Sequence, residues 1–254
     1  LSKVVAVIPV RYGAQRFPGK PLASLLGKPM IQWVVEGVSQ SQNLDALVVA
    51  TDHDEIANCV RDFAKSLALN VEIVMTDSDL PTGSDRVWQA VKGRTEPLVL
   101  NIQGDEPLIQ GVLVDQMLEA MKSSPDWDML TLGRAMDPLA FESHNTAKIV
   151  LNHKNQALYF SRLGIPYSRN ASDNDYGTCL KHVGLYGYKR AFLEKFCQQE
   201  PTDLERYEGL EQLRALYIGA RIQVLKTDYE SWGVDTPEDI PRLEEKLRTM
   251  YGQK

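Results

Sequence analysis

Cysteine is scarce in this chain. Cys59, Cys179 and Cys197 form an odd, scattered set with no Cys-x-x-Cys pair, which argues against a disulfide scaffold or structural zinc site and leaves free thiols as the default. Long apolar runs are missing as well. No stretch approaches the roughly 20 residues of a membrane span and no signal-peptide pattern precedes the first apolar run, so a cytoplasmic protein without a membrane span is expected. Positive charge is not in excess. With 28 Lys and Arg against 34 Asp and Glu, the net charge of -6 argues against nucleic acid as a partner. A P-loop motif, G-x-x-x-x-G-K-[ST], is absent, and no G-x-G-x-x-G follows the first apolar run, which disfavours P-loop NTPases and dinucleotide dehydrogenases. Neither an internal repeat nor a low-complexity tract is present.

What remains is an ordinary globular composition. The chain has 254 residues, 43% hydrophobic and 24% charged, enough for one large domain or a main domain with a smaller lobe. Apolar runs at Val4–Val10, 46–50, Val71–Met75 and Leu98–Ile102 alternate with segments of helical period, the pattern of an α/β fold with a Rossmann-like, mainly parallel sheet flanked by helices. The first helix is expected with Pro29 at its first position and Met30, Ile31, Val34, Val35 and Val38 on one side. A second is expected from Asp54, with Ile56, Val60, Phe63 and Ala64 as its stripe. From about Pro138 the character changes, with strands predicted at Lys148–Leu151, Ala157–Ser161, 181–189 and 221–227 around an irregular polar stretch at 168–178. The expected division is a nucleotide-binding core of 1–137 and 228–254 and a smaller mixed α/β lobe of 138–227, which carries a dimer contact. The segment 237–251 reads as a helix capped by Thr236.

The most informative segment joins the Val4–Val10 run to a loop bearing Arg11, Arg16 and Lys20. Loops leaving the carboxyl ends of parallel strands are where open α/β sheets bind ligands. Gly13 and Gly19 allow tight turns and close anion approach, and Pro18 stiffens the loop, so a phosphate grip is expected. Asp105 follows the Leu98–Ile102 run and emerges on the same rim, where a carboxylate suits magnesium, which prefers one or two protein oxygens plus phosphate and water. For Asp235, metal ligand and helix-start residue are both open. In 181–189 the strand period of two sets His182, Tyr186 and Tyr188 on one face and Val183 and Leu185 on the other, with Gly184 leaving room for a ligand. Arg162 ends an apolar strand, either as a rim residue or as a carboxylate clamp.

The ending RFPGKPL (16–22) resembles the nucleotide-binding signature of sugar-activating cytidylyltransferases. Five further segments, NIQGDEP (101–107), ALYFSR (157–162), HVGLYGY (182–188), LEQLR (210–214) and GVDTPED (233–239), are similar to the 3-deoxy-manno-octulosonate (Kdo) branch. The resemblance samples nearly the whole chain and implies a nucleotide-diphospho-sugar transferase type of fold. It also implies magnesium-dependent transfer from CTP to Kdo, an acidic eight-carbon sugar, giving CMP-Kdo and pyrophosphate for lipopolysaccharide biosynthesis, in a homodimer. It matches Asp105 and Asp235 to the metal ligands. Gln103 and TGSDR (82–86), with Gly83, Ser84 and Arg86, match the cytidine-recognising parts. Ser84 as a helix cap is the alternative there, and both readings are compatible. Glu211 and Gln212, on a helix whose apolar face is Leu210, Leu213 and Tyr217, become partners for sugar hydroxyls. Arg11, Lys20, Asp105 and Asp235 are then the catalytic set, and no residue is assigned as general base. Phe17 stands where leucine is also common, and YESW (229–232) replaces a more glycine- and proline-rich loop, which opens the sugar specificity toward an 8-amino analogue. A cytidylyltransferase for a sialic-acid-type sugar and a non-catalytic nucleotide-binding protein on this fold are the rival readings.

Overall fold

Val4–Val10 is a run of β-branched and small apolar residues, and its first five residues have no exposed surface. That demands cover on both faces, the situation of a central parallel strand. The computed structural model describes residues 2–13, 16–123, 126–169 and 176–252, and Val4–Val10 pairs in parallel there with Ala46–Thr51 on one side and Leu98–Ile102 on the other. Val71–Met75 adds outside Ala46–Thr51, also in parallel. The chain thus leaves its first strand, builds outward on one side, and returns to the other. Such a reversal opens a crevice at the carboxyl ends of the two strands flanking it, here Val4–Val10 and Leu98–Ile102. The loops leaving those two ends carry Arg11 to Lys20 and Gln103 to Glu106.

The helices follow their apolar stripes. Met30–Ser39 buries Met30, Ile31, Val34, Val35 and Val38 completely, with Pro29 just outside as the cap rather than at the first position. Asp54–Ser66 buries Ile56, Val60 and Ala64, while Phe63 is only half-buried. In Gly83–Val91 the cap is Thr82, whose side chain accepts from Asp85 N, and Ser84 lies inside the first turn. This corrects the expectation that Ser84 caps the helix: the hydroxyl that reaches the third helical N–H belongs to the residue before Gly83. Pro237–Asp239 is a short 3-10 turn closed by a Thr236–Asp239 capping box, and the α-helix proper runs Ile240–Tyr251. Its Leu243 and Leu247 join Leu25, Met30, Leu108 and Val234 in one buried cluster, with Phe17 and Trp232 packed against it.

The chain divides into two compact units, 1–119 with 231–254, and 120–230. The division differs from the 137/138 and 227/228 boundaries drawn from sequence because Met129–Ala135, an apolar run, pairs with strands of the second unit. It lies parallel to Ile222–Lys226 and antiparallel to Cys179–Lys189, which in turn pairs antiparallel with Lys148–Leu151, itself antiparallel to Ala157–Ser161. Within 168–178, Tyr176–Thr178 is a 3-10 turn, and 170–175 lie outside the described residues. No helix among the described residues is long and apolar enough to cross a membrane.

Candidate active site

In the first unit the loop after Val4–Val10 is closed on itself. Gly19 N donates to Tyr12 O at 2.9 Å, and Gly19 takes φ +70°, a left-handed conformation that favours glycine. The near end is anchored by Asp52, whose Oδ1 accepts from Tyr12 N at 3.0 Å, while its other oxygen accepts from Arg86 Nη2 at 3.2 Å. Both partners of that ion pair are buried, and Arg86 also donates to Thr76 Oγ1. Burial lowers the Arg86 pKa, Asp52 opposes this, and the charge of nearby Arg11 lowers it further. Arg86 therefore stands under the loop and orients it through Asp52, and its proximity to Arg11 adds to the positive field there. The ring of Tyr12 stacks on His53 at 4.0 Å. At the far end Phe17 packs into the cluster with Leu25, Met30 and Val234, which fixes Arg16 and Lys20 on either side of it.

Lys20 is the hub. Its Nζ donates to Asp105 Oδ2 at 2.6 Å and to Val234 O at 2.7 Å, and its side chain is only 16% exposed. Val234 N donates to Asp105 O at 3.2 Å, so the segments carrying the two predicted metal carboxylates are tied directly together. Arg16 Nη2 lies 3.0 Å from Asp235 Oδ1 in an exposed pair. Asp239 Oδ2 accepts from Asp235 N and Thr236 N, each at 2.8 Å, so the helix-start role belongs to Asp239 and the Asp235 carboxylate points elsewhere. Backbone hydrogen bonds from Thr236 hold the Asp239 carboxyl below its usual range despite partial burial. Among the described residues no group of three or more His, Cys, Asp or Glu is arranged for a metal. Two carboxylates such as Asp105 and Asp235 would suit magnesium, which fills its remaining positions with phosphate and water, and would not suit zinc.

Gln103 and the start of Gly83–Val91 belong to the same unit. Gln103 is half-buried, its Nε2 3.5 Å from Asn101 Oδ1. A Cβ on Gly83 would meet nothing closer than Pro9 Cγ at 3.8 Å, so the protein's own packing does not require glycine there. Gly104 is different: a Cβ would collide with Val10 and Pro9, and only glycine lets the Asp105 turn approach the first strand.

The second unit carries the remaining predicted residues. Cys179–Lys189 and Met129–Ala135 shift register between Val183 and Tyr186, where Gly184 and Leu185 have no partner. An excess of two preserves the alternation, and the rings of His182 and Tyr186 lie 5.5 Å apart on one side. At this irregularity Thr131 Oγ1 lies 3.3 Å from Val183 O, 3.0 Å from Leu185 O and 3.0 Å from His182 Nε2. Tyr188, expected on the polar row, is 1% exposed and stacks near Phe196, so the row ends at Tyr186. The cause is the Arg190–Gln198 helix, whose Phe196 covers that end of the strand. Burial, and then the charge of Glu211, push the Tyr186 phenol up, so it remains a hydrogen-bond donor.

Gln212, at the start of Gln212–Tyr217, is 2% exposed, and its Nε2 has no partner. Buried amides are normally satisfied, which sets this donor apart. Leu210 and Leu213 are buried as expected, but Tyr217 is 67% exposed. Arg162 is heavily engaged: Nε donates to Glu208 O at 2.6 Å, Nη1 to His144 O at 3.2 Å and Nη2 to Gly209 O at 3.2 Å. One further N–H remains on each terminal nitrogen. Sequence reasoning missed the groups that hold these residues, chiefly Asp52, Thr131, Lys148 and Glu208. The buried Lys148 ammonium donates to the carbonyls of Ser143, Thr146 and Arg162 at 2.6, 2.9 and 2.7 Å, and burial lowers its pKa. A lysine opening an otherwise apolar strand was the available signal.

Burial lowers the His182 pKa to about 4, so the imidazole is neutral at ordinary pH. The sign follows: between about 6.5 and 4 the unfolded chain binds a proton that the folded chain does not, so stability falls as pH drops through that window. Because some of the His182 surface remains accessible, we expect roughly 2 kcal/mol lost from this group between pH 7 and 4.5, somewhat less than the full shift gives. Urea unfolding of wild type and His182→Gln at both pH values checks this. Equal pH dependence in the two proteins contradicts it.

A crevice at a strand-order reversal, with a basic loop and two carboxylates on its rim, defines a nucleotide-binding α/β fold. Residues 5–222 match the family described as Cytidylyltransferase. The chain is 49% identical over 250 residues to 3-deoxy-manno-octulosonate cytidylyltransferase of Bdellovibrio bacteriovorus, covering 98% of this chain and 99% of that one. It is 41% identical to the protein of that name from Geobacter sulfurreducens, covering 96% and 99%. A solved structure of CMP:2-keto-3-deoxy-manno-octonic acid synthetase complexed with CTP superposes with TM-score 0.90 at 36% identity, covering 98% of this chain and all of that one. The chain belongs to the cytidylyltransferase family, and within it to the 3-deoxy-manno-octulosonate cytidylyltransferases, which makes it a nucleotidyltransferase enzyme.

Proposed function

We propose that this enzyme transfers the cytidylyl group of CTP to the anomeric hydroxyl of Kdo, releasing pyrophosphate. The observation that carries the reading is the joining of Lys20, Asp105 and the segment leading to Asp235 through Val234, in a chain 49% identical to a Kdo cytidylyltransferase. The anomeric oxygen forms a bond to the α-phosphorus as its hydroxyl proton passes to water. The bond from that phosphorus to the β-phosphate oxygen breaks, and its electron pair leaves with pyrophosphate. Arg11, Arg16 and Lys20 bind the phosphates and meet the charge that moves onto the leaving group, so the chain's contribution is positioning and electrostatics. Asp105 and Asp235 would hold magnesium, which would supply charge neutralisation and orient the phosphates when bound. Gly83, Ser84, Arg86 and Gln103 serve the cytidine end.

On the sugar side, Arg162 and Tyr186 offer donors to the Kdo carboxylate. Neutral His182, Glu211 and the unpartnered Gln212 amide serve the hydroxyls. The product is an activated acidic sugar, suited to glycosyl transfer in lipopolysaccharide assembly in the cytoplasm. A homodimer is part of the same proposal: the second unit exposes Leu139, Tyr167 and Tyr207, each at least 85% accessible. Sedimentation as a monomer at micromolar concentration removes that element alone.

A pyrophosphate-release assay pairing CTP or UTP with Kdo, its 8-amino analogue or N-acetylneuraminate tests the substrate assignment. Turnover is expected with CTP and Kdo at a kcat/KM at least tenfold above every other pair. A preference for the 8-amino analogue or N-acetylneuraminate reassigns the sugar, and release with no pair removes the reaction.

A further inference from the structure

Glu106 is the acidic residue of the NIQGDEP segment that no step above uses. It follows Asp105 directly, yet its carboxylate faces the 231–233 backbone. One oxygen accepts from Ser231 Oγ and the other accepts from Trp232 N at 3.1 Å. A Cβ on Gly233 would sit 3.4 Å from Glu106 Oε1, so the carboxylate packs closely on the chain leading to Asp235. The next residue, Val234, donates to Asp105 O and is buried at 1% exposure. On the far side, Asp239 holds the N–H groups of Asp235 and Thr236. Asp235 therefore sits on a short segment gripped at both ends, and Glu106 is the grip on the side of Asp105.

We propose that Glu106 is a positioning residue: by holding Ser231 and Trp232 it sets the separation of Asp105 and Asp235, and with it the divalent-cation affinity of the pair. The inference rests on the proposed metal role of those two aspartates. Magnesium tolerates little departure from octahedral geometry, and groups outside the coordination shell that orient its ligands commonly change metal affinity by about 10- to 100-fold. Glu106→Gln keeps the volume and, with its oxygen toward Trp232 N and its NH2 toward a rotated Ser231 hydroxyl, can keep both contacts, but it exchanges two charge-assisted hydrogen bonds for neutral ones about half as strong.

The test is Mn2+ binding to the enzyme with CTP and no sugar, followed by electron paramagnetic resonance of free Mn2+. Calorimetric CTP binding in EDTA and circular dichroism accompany it. Asp235→Asn should remove most Mn2+ binding. Glu106→Gln should weaken it about tenfold and Ser231→Ala about threefold, with CTP affinity in EDTA unchanged in these two variants. If Asp235→Asn weakens Mn2+ binding while folded Glu106→Gln stays within twofold of wild type, the positioning role is overturned and the metal assignment survives. If Asp235→Asn binds Mn2+ as wild type does, the metal assignment itself fails. Should Glu106→Gln not fold, Ser231→Ala decides, and wild-type affinity in that variant overturns the proposal.

Discussion

Asp105→Asn is expected to lower kcat by about 1000-fold or more while leaving the fold intact. If Asp105 and Asp235 hold magnesium as proposed, loss of one carboxylate removes several kcal/mol of transition-state charge stabilisation, and about 4 kcal/mol corresponds to that factor. The fold should survive because the Asp105 side chain is 32% exposed and accepts from the Lys20 ammonium, for which asparagine keeps an acceptor oxygen. The tie from Val234 N runs to the backbone carbonyl of residue 105 and does not depend on the side chain. Circular dichroism and pyrophosphate release across magnesium concentrations check the expectation. Turnover within about threefold of wild type, well under 1 kcal/mol, takes Asp105 out of the metal site.

Arg162→Ala should raise the Kdo KM by roughly 30- to 1000-fold while CTP binding measured without sugar stays constant, as loss of a desolvated arginine–carboxylate contact would do. The same variant should also lose thermal stability, because the guanidinium ties together the carbonyls of His144, Glu208 and Gly209. The two effects separate in Arg162→Lys, which keeps the charge but can satisfy only part of that fork. Kdo kinetics, calorimetric CTP binding and melting temperatures of the three proteins provide the comparison. A lowered melting temperature with an unchanged Kdo KM reduces Arg162 to a clasp on the Glu208–Gly209 turn. Collapse of CTP binding with the Kdo KM held reverses the assignment of the two substrates.

Parts of the architecture that depend on local pattern were legible from the residues. Val4–Val10, Val71–Met75 and Leu98–Ile102 are strands with the expected bounds, because an unbroken apolar run between turn residues has few other uses. The stripe of Met30–Ser39 was equally plain. What sequence spacing could not show was depth and pairing. Tyr188 alternates correctly with Tyr186 yet lies under Phe196, and the excess at Gly184 and Leu185 becomes visible only against the Thr131 strand. The same limit applies around the candidate site. The loop cations and Asp105 stand beside apolar strands and declare themselves. Asp52, Lys148 and Glu106 work through partners 34 residues away (Arg86), 14 residues away (Arg162) and 125 residues away (Ser231), separations that no local motif encodes.

The central claim is that the anomeric oxygen of Kdo becomes the bridge to the α-phosphorus of CTP. Kdo labelled with 18O at the anomeric position, incubated with CTP, magnesium and the enzyme, and followed by 31P nuclear magnetic resonance, tests it most directly. The account predicts one phosphodiester signal carrying the 18O isotope shift and an unlabelled pyrophosphate. A phosphodiester without the shift, label in pyrophosphate, or consumption of CTP with no sugar-linked phosphorus would contradict it.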